Sequence, residues 1–158
     1  MGEQPGDRED RAGRPFVGPA GRELDKALEG VGIARDDVYI TNVVKHFKFE
    51  ERGRRRIHQT PKRFEIDACR PWLDEELRAI QPQALILLGA TAAKALLGSS
   101  FRLTKHRGEL LESELAPIVT ATVHPSAILR APDDASRHAE RRAFTDDLGV
   151  VARALARA

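Results

Sequence analysis

Apolar positions change their spacing several times along this chain, and each change predicts an element. Leu24, Ala27, Leu28 and Val31 recur at helical spacing, which predicts a helix over 20–29 that stops at Gly30. The β-branched run Val38-Tyr39-Ile40-Thr41-Asn42-Val43-Val44 predicts a strand, followed by a loop over 45–53. Thr60 reads as a helix cap with Pro61 at the first helical position. Ile66, Cys69, Leu73, Leu77 and Ile80 form one apolar stripe, and Pro71 inside it predicts a kink or a second helix start. The continuous run Ala84-Leu85-Ile86-Leu87-Leu88 has the pattern of a strand buried on both faces. Thr91 then predicts the cap of a short helix that runs to Leu97 and closes at Gly98. Residues 107–111 predict a brief edge strand and 117–123 a third core strand. Phe144, Leu148, Val151 and Leu155 predict a long last helix over 135–156.

Helices alternating with buried strands predict an α/β fold: a parallel sheet in a three-layer α/β/α sandwich. Ligands of such sheets bind beyond the carboxyl ends of the strands. Three segments fall there: the loop around Glu3, Asn42, and His124-Pro125-Ser126. The Glu3 loop has only Met1 before it, so the expectation is one domain over 1–158 that is N-terminally truncated and lacks its first strand. Strands beside that gap would carry unpaired backbone groups, which predicts low stability and a tendency to aggregate.

Composition narrows the classes. The chain has 158 residues, 41% apolar and 32% charged, which suits a globular protein with a real core. A net charge of +2 means that basic charge must be localised to bind nucleic acid. It is localised: Arg52, Arg54, Arg55, Arg56, Lys62 and Arg63 have no acidic residue among them, and His58 sits inside the run. Two readings fit: a segment that grips a nucleic-acid backbone and presents His58, or a solvated basic surface. No apolar run is long enough to cross a membrane, and no secretory signal opens the chain. The single Cys69 excludes an intrachain disulfide and suits a reducing, cytoplasmic setting. No phosphate-cradling Gly-x-x-x-x-Gly-Lys loop is present. A monomer is expected.

The candidate chemistry lies in the three segments. Glu3 is an acceptor able to orient water or stabilise a cation. Phe16 offers a stacking face or, equally, a plug for the core. Asn42 carries donors and an acceptor on one amide, suited to a base edge or to a turn. His124 can donate to an oxygen that becomes negative as a bond breaks. Ser126 offers a hydroxyl and an N–H to a phosphate. A planar base removed from its stack would use all of these.

Gly2-Glu3-Gln4-Pro5-Gly6-Asp7 with Glu9-Asp10, Gly13-Arg14-Pro15-Phe16-Val17-Gly18, Thr41-Asn42-Val43-Val44-Lys45 and His124-Pro125-Ser126 resemble the family 4 uracil-DNA glycosylases, in the same order over nearly the whole chain. Gln4 and the Arg54-Arg55-Arg56-Ile57-His58 insertion resemble the UdgX-type relatives of that family. The resemblance implies a partner, uracil-containing DNA, and a role for each residue. Glu3 would assist departure of the base. The Gln4 backbone and Asn42 would hold uracil, with Phe16 stacked on it. His124 would hydrogen-bond a uracil oxygen. Ser126 and Arg130 would hold the DNA backbone, and Arg54, Arg55 and Arg56 would fix phosphates. His58 would attack the sugar C1′ and leave the protein covalently attached to the abasic site.

The family also implies a 4Fe-4S cluster held by four ligands, normally Cys. This chain offers Cys69 and, at a position usually Cys, His46. Those are two ligands of four, so Cys69 is as well explained as a small buried apolar residue. Two further readings stay open. One is a conventional glycosylase that turns over, with His58 only a DNA contact. The other is a non-catalytic binder of uracil-containing or single-stranded DNA.

Overall fold

The computed structural model describes residues 1–158. Its centre is a parallel pair, β3 (Ala84–Leu88) and β4 (Ile118–Thr122), in register from Ala84 opposite Ile118 to Leu88 opposite Thr122. Leu85 and Leu87 of β3 pack with Val119 and Ala121 against Ala93 of α4 (Ala90–Leu97) and Leu77 of α3 (Arg63–Ile80). Ile86 and Leu88 point the other way. They meet Leu24 and Leu28 of α2 (Pro19–Gly30), Ile128 of α6 (Ser126–Leu129), and Phe144 and Leu148 of α7 (Asp134–Leu155). Alternate side chains of a strand leave opposite faces, so a run apolar at every position is buried between two helical layers. The three-layer α/β/α arrangement is therefore present, around a sheet smaller than expected.

Met1–Glu3 lies beside β3 and extends this sheet. The Met1 nitrogen donates to Ile86 O at 2.7 Å, and Leu88 N donates to Met1 O at 2.8 Å. On the other side Gly2 N donates to Thr41 O, and Val43 N and Val44 N donate to Gly2 O and Glu3 O. The predicted strand over 38–44 is thus realised only as a parallel bridge between Gly2 and Asn42. β-branched residues favour an extended backbone, but a ladder needs a partner, and Val38–Ile40 has none. Between Val38–Thr41 and Ala84–Ile86 lies a groove of about 870 Å³, walled by Leu77 and Ile80 of α3 and Val151 and Leu155 of α7.

Other expectations are corrected. Residues 45–62 are not a plain loop. They hold an antiparallel hairpin, β1 (Phe49–Arg52) and β2 (Arg55–His58), turning at Gly53 with φ 62°. A helix not expected from the pattern, α1 (Asp7–Ala12), follows the Glu3 loop; it buries no residue, so no apolar stripe announces it. α3 begins at Arg63 rather than at Pro61, because the Glu65 carboxylate folds back on Lys62 N at 2.6 Å. It runs through Pro71 as one helix. α4 is capped by Gly89 rather than Thr91, and it closes at Gly98 as expected. A short helix, α5 (Leu103–His106), precedes the predicted edge strand, which is reduced to one antiparallel bridge from Leu111 to Val119. No helix is long and apolar enough to cross a membrane.

Candidate active site

Both core strands end in loops that face one cleft of about 740 Å³. Glu3, Phe16, Asn42, His58, His124 and Ser126 all line it, together with Glu9, Thr60, Thr91 and Arg130. The three segments picked out from the sequence therefore converge, and the hairpin adds His58 to them.

His124 follows β4 at the carboxyl end of the sheet. Its Nδ1 accepts from Ser126 N at 3.1 Å and lies 2.8 Å from Ser126 Oγ. Arg130 donates to that same Oγ at 2.9 Å, so the hydroxyl proton points to Nδ1. An imidazole that accepts at Nδ1 carries its proton on Nε2 when neutral. Neutrality is enforced: burial, against the pull of Glu3 and with the push of Arg130, lowers the His124 pKa to about 4. The site thus holds a neutral N–H donor, a group suited to an oxygen that gains charge. The Ser126 N–H and hydroxyl, expected to face a phosphate, are both committed to His124 instead.

Phe16 is stacked on the His124 ring, with centroids 5.5 Å apart. It also packs on the α2–α7 core, so cleft wall and core plug are one role. Its backbone is left-handed, with φ 54°. Two glycines make that position possible. A Cβ on Gly21 would sit 1.9 Å from Phe16 O, and a Cβ on Gly2 would sit 2.8 Å from the Phe16 ring and 2.6 Å from Asn42 Oδ1. Asn42 is 5% exposed, and its Oδ1 is buried without a hydrogen-bond partner. An unpaired buried acceptor costs about 1–3 kcal/mol, which a ligand N–H in the cleft would recover.

Glu3 Oε1 lies 2.8 Å from His58 Nε2. Burial alone would raise the Glu3 pKa, but hydrogen bonds from His58 and Thr91 outweigh it and hold the carboxyl below its ordinary range. Glu3 is therefore ionised at neutral pH. His58 ends β2 at the base of the hairpin, opposite Phe49, while Arg54 and Arg55 stand exposed near the turn.

The hairpin is fastened by residues expected to act on DNA or base. The Gln4 side chain is buried; its Nε2 donates to Lys48 O and Gln59 O at 3.2 and 3.1 Å, and its Oε1 accepts from Lys48 N at 3.3 Å. It ties both ends of the hairpin together. Arg56 does not stand free for phosphate, as the basic run implies. Its guanidinium binds Asp7 and Asp10 of α1, the latter at 2.7 Å, and lies over the Phe47 and Phe49 rings. Glu9 has a part that its sequence position does not announce: its Oε1 accepts from Gly18 N at 2.8 Å, closing the loop that carries Phe16. It sits in a polar helix with no apolar stripe, and its place in the Glu9-Asp10 part of the resemblance is the signal it leaves in the sequence.

Cys69 and His46 do not complete a cluster site. Cys69 is buried in α3 with its Sγ accepting from Lys45 N at 3.5 Å, and His46 is exposed. No group of three or more His, Cys, Asp or Glu side chains is placed to hold a metal ion. The residues present do not fit a 4Fe-4S cluster.

Fold and cleft together describe an α/β protein with a polar, aromatic-walled pocket at the carboxyl ends of its strands. Residues 1–149 match the uracil DNA glycosylase superfamily, and the chain belongs to it. It is 38% identical over 157 residues to a type-4 uracil-DNA glycosylase of Pyrobaculum aerophilum, covering 95% of this chain and 74% of that one. It is 38% identical over 143 residues to the type-4 enzyme of Sulfurisphaera tokodaii, covering 84% and 61%. It is 40% identical over 131 residues to that of Thermotoga maritima, covering 82% and 65%. The chain thus spans just under two thirds of the length of the last two.

Proposed function

We propose that this protein excises uracil from DNA and is then captured on the abasic sugar through His58. The observation that carries the proposal is the Glu3–His58 contact of 2.8 Å inside the cleft that also holds His124 and Asn42. In this reading a flipped uracil lies on Phe16 with its polar edge at Asn42. The C1′–N1 bond breaks and its electron pair leaves with the base. His124 Nε2–H stabilises the uracil oxygen on which charge collects. The ionised Glu3 stabilises the oxocarbenium-like sugar.

That sugar is an electrophile, and a nitrogen of the His58 ring supplies the pair that closes the new bond to C1′. The ring proton stays on the nitrogen that faces Glu3, and the positive charge of the alkylated ring is paired with the Glu3 carboxylate. Imidazole is a poor leaving group, so the reaction ends after one turnover.

The type-4 relatives favour a second reading, in which water adds to the sugar and the enzyme recycles. An end-labelled uracil oligonucleotide run on a denaturing gel separates the two. A heat- and SDS-stable shifted band that requires uracil is expected. Alkali-labile abasic product without that band supports turnover, and unchanged DNA rejects both.

A further inference from the structure

We propose that Lys45, held by Glu76, is a positioning residue that sets Asn42 for base reading. The inference rests on the assignment of the cleft to uracil. Asn42 pairs with Gly2 on one edge only: Gly2 N donates to Thr41 O and Val43 N to Gly2 O. In a parallel ladder, the Asn42 carbonyl then faces the opposite edge, where no strand lies. The Lys45 ammonium stands there instead of a strand. It donates to Asn42 O at 2.8 Å, to Thr41 Oγ1 at 2.6 Å and to Glu76 Oε2 at 2.7 Å.

An ammonium has three donors, and all three are used. Lys45 is therefore spent inside the protein, its side chain 23% exposed, and is not a free cation for phosphate. α3 holds it at two points a pair of turns apart. The Cys69 thiol accepts its backbone N–H and Glu76 binds its ammonium; Glu76 also accepts from Thr41 Oγ1 at 2.8 Å. The base-reading amide is thus referenced to a long helix rather than to a sheet. Thr41, Lys45 and Cys69 thereby share one role. The first two belong to the Thr41-Asn42-Val43-Val44-Lys45 motif, of which the cleft itself uses only Asn42.

The test is equilibrium dialysis of the full chain against free uracil, with thymine as control base and a uracil-free oligonucleotide titrated across salt. Lys45→Met is expected to weaken uracil binding about tenfold, the worth of one well-placed hydrogen bond. Affinity for uracil-free DNA and its salt slope stay at the wild-type values. In an Asn42→Ala background the same change adds less than about twofold, because the two residues act as one unit. Lys45→Arg restores part of the loss.

Unchanged uracil affinity in Lys45→Met overturns the inference, and so does full additivity with Asn42→Ala. A drop in DNA affinity with a shallower salt slope also overturns it, since that marks a phosphate contact. If Lys45→Met does not fold, Glu76→Gln carries the same expectations and the same refutations. A wild-type protein that binds uracil no better than thymine refutes the cleft assignment itself, and is thereby told apart from failure of the inference alone.

Discussion

Glu3 and His58 meet at 2.8 Å, one from the loop beside β3 and the other from the base of an exposed hairpin. Glu3 is 19% exposed and His58 50%. The pair joins the loop beside the central sheet to the exposed hairpin, so the imidazole faces the cleft rather than solvent alone. A carboxylate 2.8 Å from one ring nitrogen also fixes which nitrogen bears the proton in neutral His58.

His58→Ser is expected to abolish the uracil-dependent adduct while excision continues. Serine leaves room for water at the sugar and is itself a far weaker nucleophile than imidazole when no base activates it. A denaturing gel followed by alkali treatment reads both products. Persistence of the adduct in this variant would move the nucleophile elsewhere.

Glu3→Gln is expected to slow excision itself, by roughly 100-fold or more, the range seen when one preorganised charge-stabilising group is removed. In the proposed mechanism Glu3 acts before capture, so the loss is expected to be the same in wild-type and His58→Ser backgrounds. Single-turnover rates in the two backgrounds check it.

Gln4→Ala is expected to reduce adduct yield more than excision. Its amide bonds Lys48 and Gln59 at the two ends of the hairpin and makes no hydrogen bond to a strand of the central sheet. Loosening the hairpin displaces His58 and leaves His124, Asn42 and Phe16 where they are. The ratio of adduct to free abasic product measures this directly.

The core was legible because burial writes itself into the sequence. The run 84–88, the stripe on α2 and the Phe144-Leu148-Val151 stripe of α7 all appear where their periods place them. The hairpin and α1 were not legible for the same reason. No residue of Phe49–Arg52 or Arg55–His58 is buried and Asp7–Ala12 buries nothing, so neither has an apolar period to detect. What holds them is polar: Gln4, Arg56 and Glu65, each paired with residues far off in sequence or folded back on a helix start. Glu3, Phe16, Asn42 and His124 were legible as candidates from their loop positions. The partners that orient them were not, because a hydrogen bond leaves no periodicity.

The arginines should separate by salt dependence. Arg54 and Arg55 are exposed near the hairpin turn, whereas Arg56 is engaged with Asp7 and Asp10. Replacing Arg54 or Arg55 with Ala is expected to lower the slope of log affinity against log salt by about 1 each. Arg56→Ala is expected to leave the slope alone and lower the melting temperature, since it frees two carboxylates of α1 and strips the cover from Phe47. Fluorescence anisotropy across a salt series, beside a thermal melt, distinguishes them.

His124 also sets a proton-linked term in stability. Its pKa falls from 6.5 to about 4 on folding, chiefly through burial. The unfolded chain therefore binds the proton first, and stability rises with pH between about 4 and 6.5. The full term is about 3 kcal/mol, absent at neutral pH and complete once pH has fallen below 4. Glu3 works at lower pH. Its carboxyl is held below the ordinary 4.5, so its stabilising contribution is lost only as pH drops through that lowered value. Urea melts of wild type and His124→Gln between pH 4.5 and 7 isolate the imidazole, because every other group is shared. The wild type should lose stability faster than the variant as pH falls. Equal slopes would mean that the imidazole keeps its ordinary pKa, and with it that burial does not hold the ring neutral.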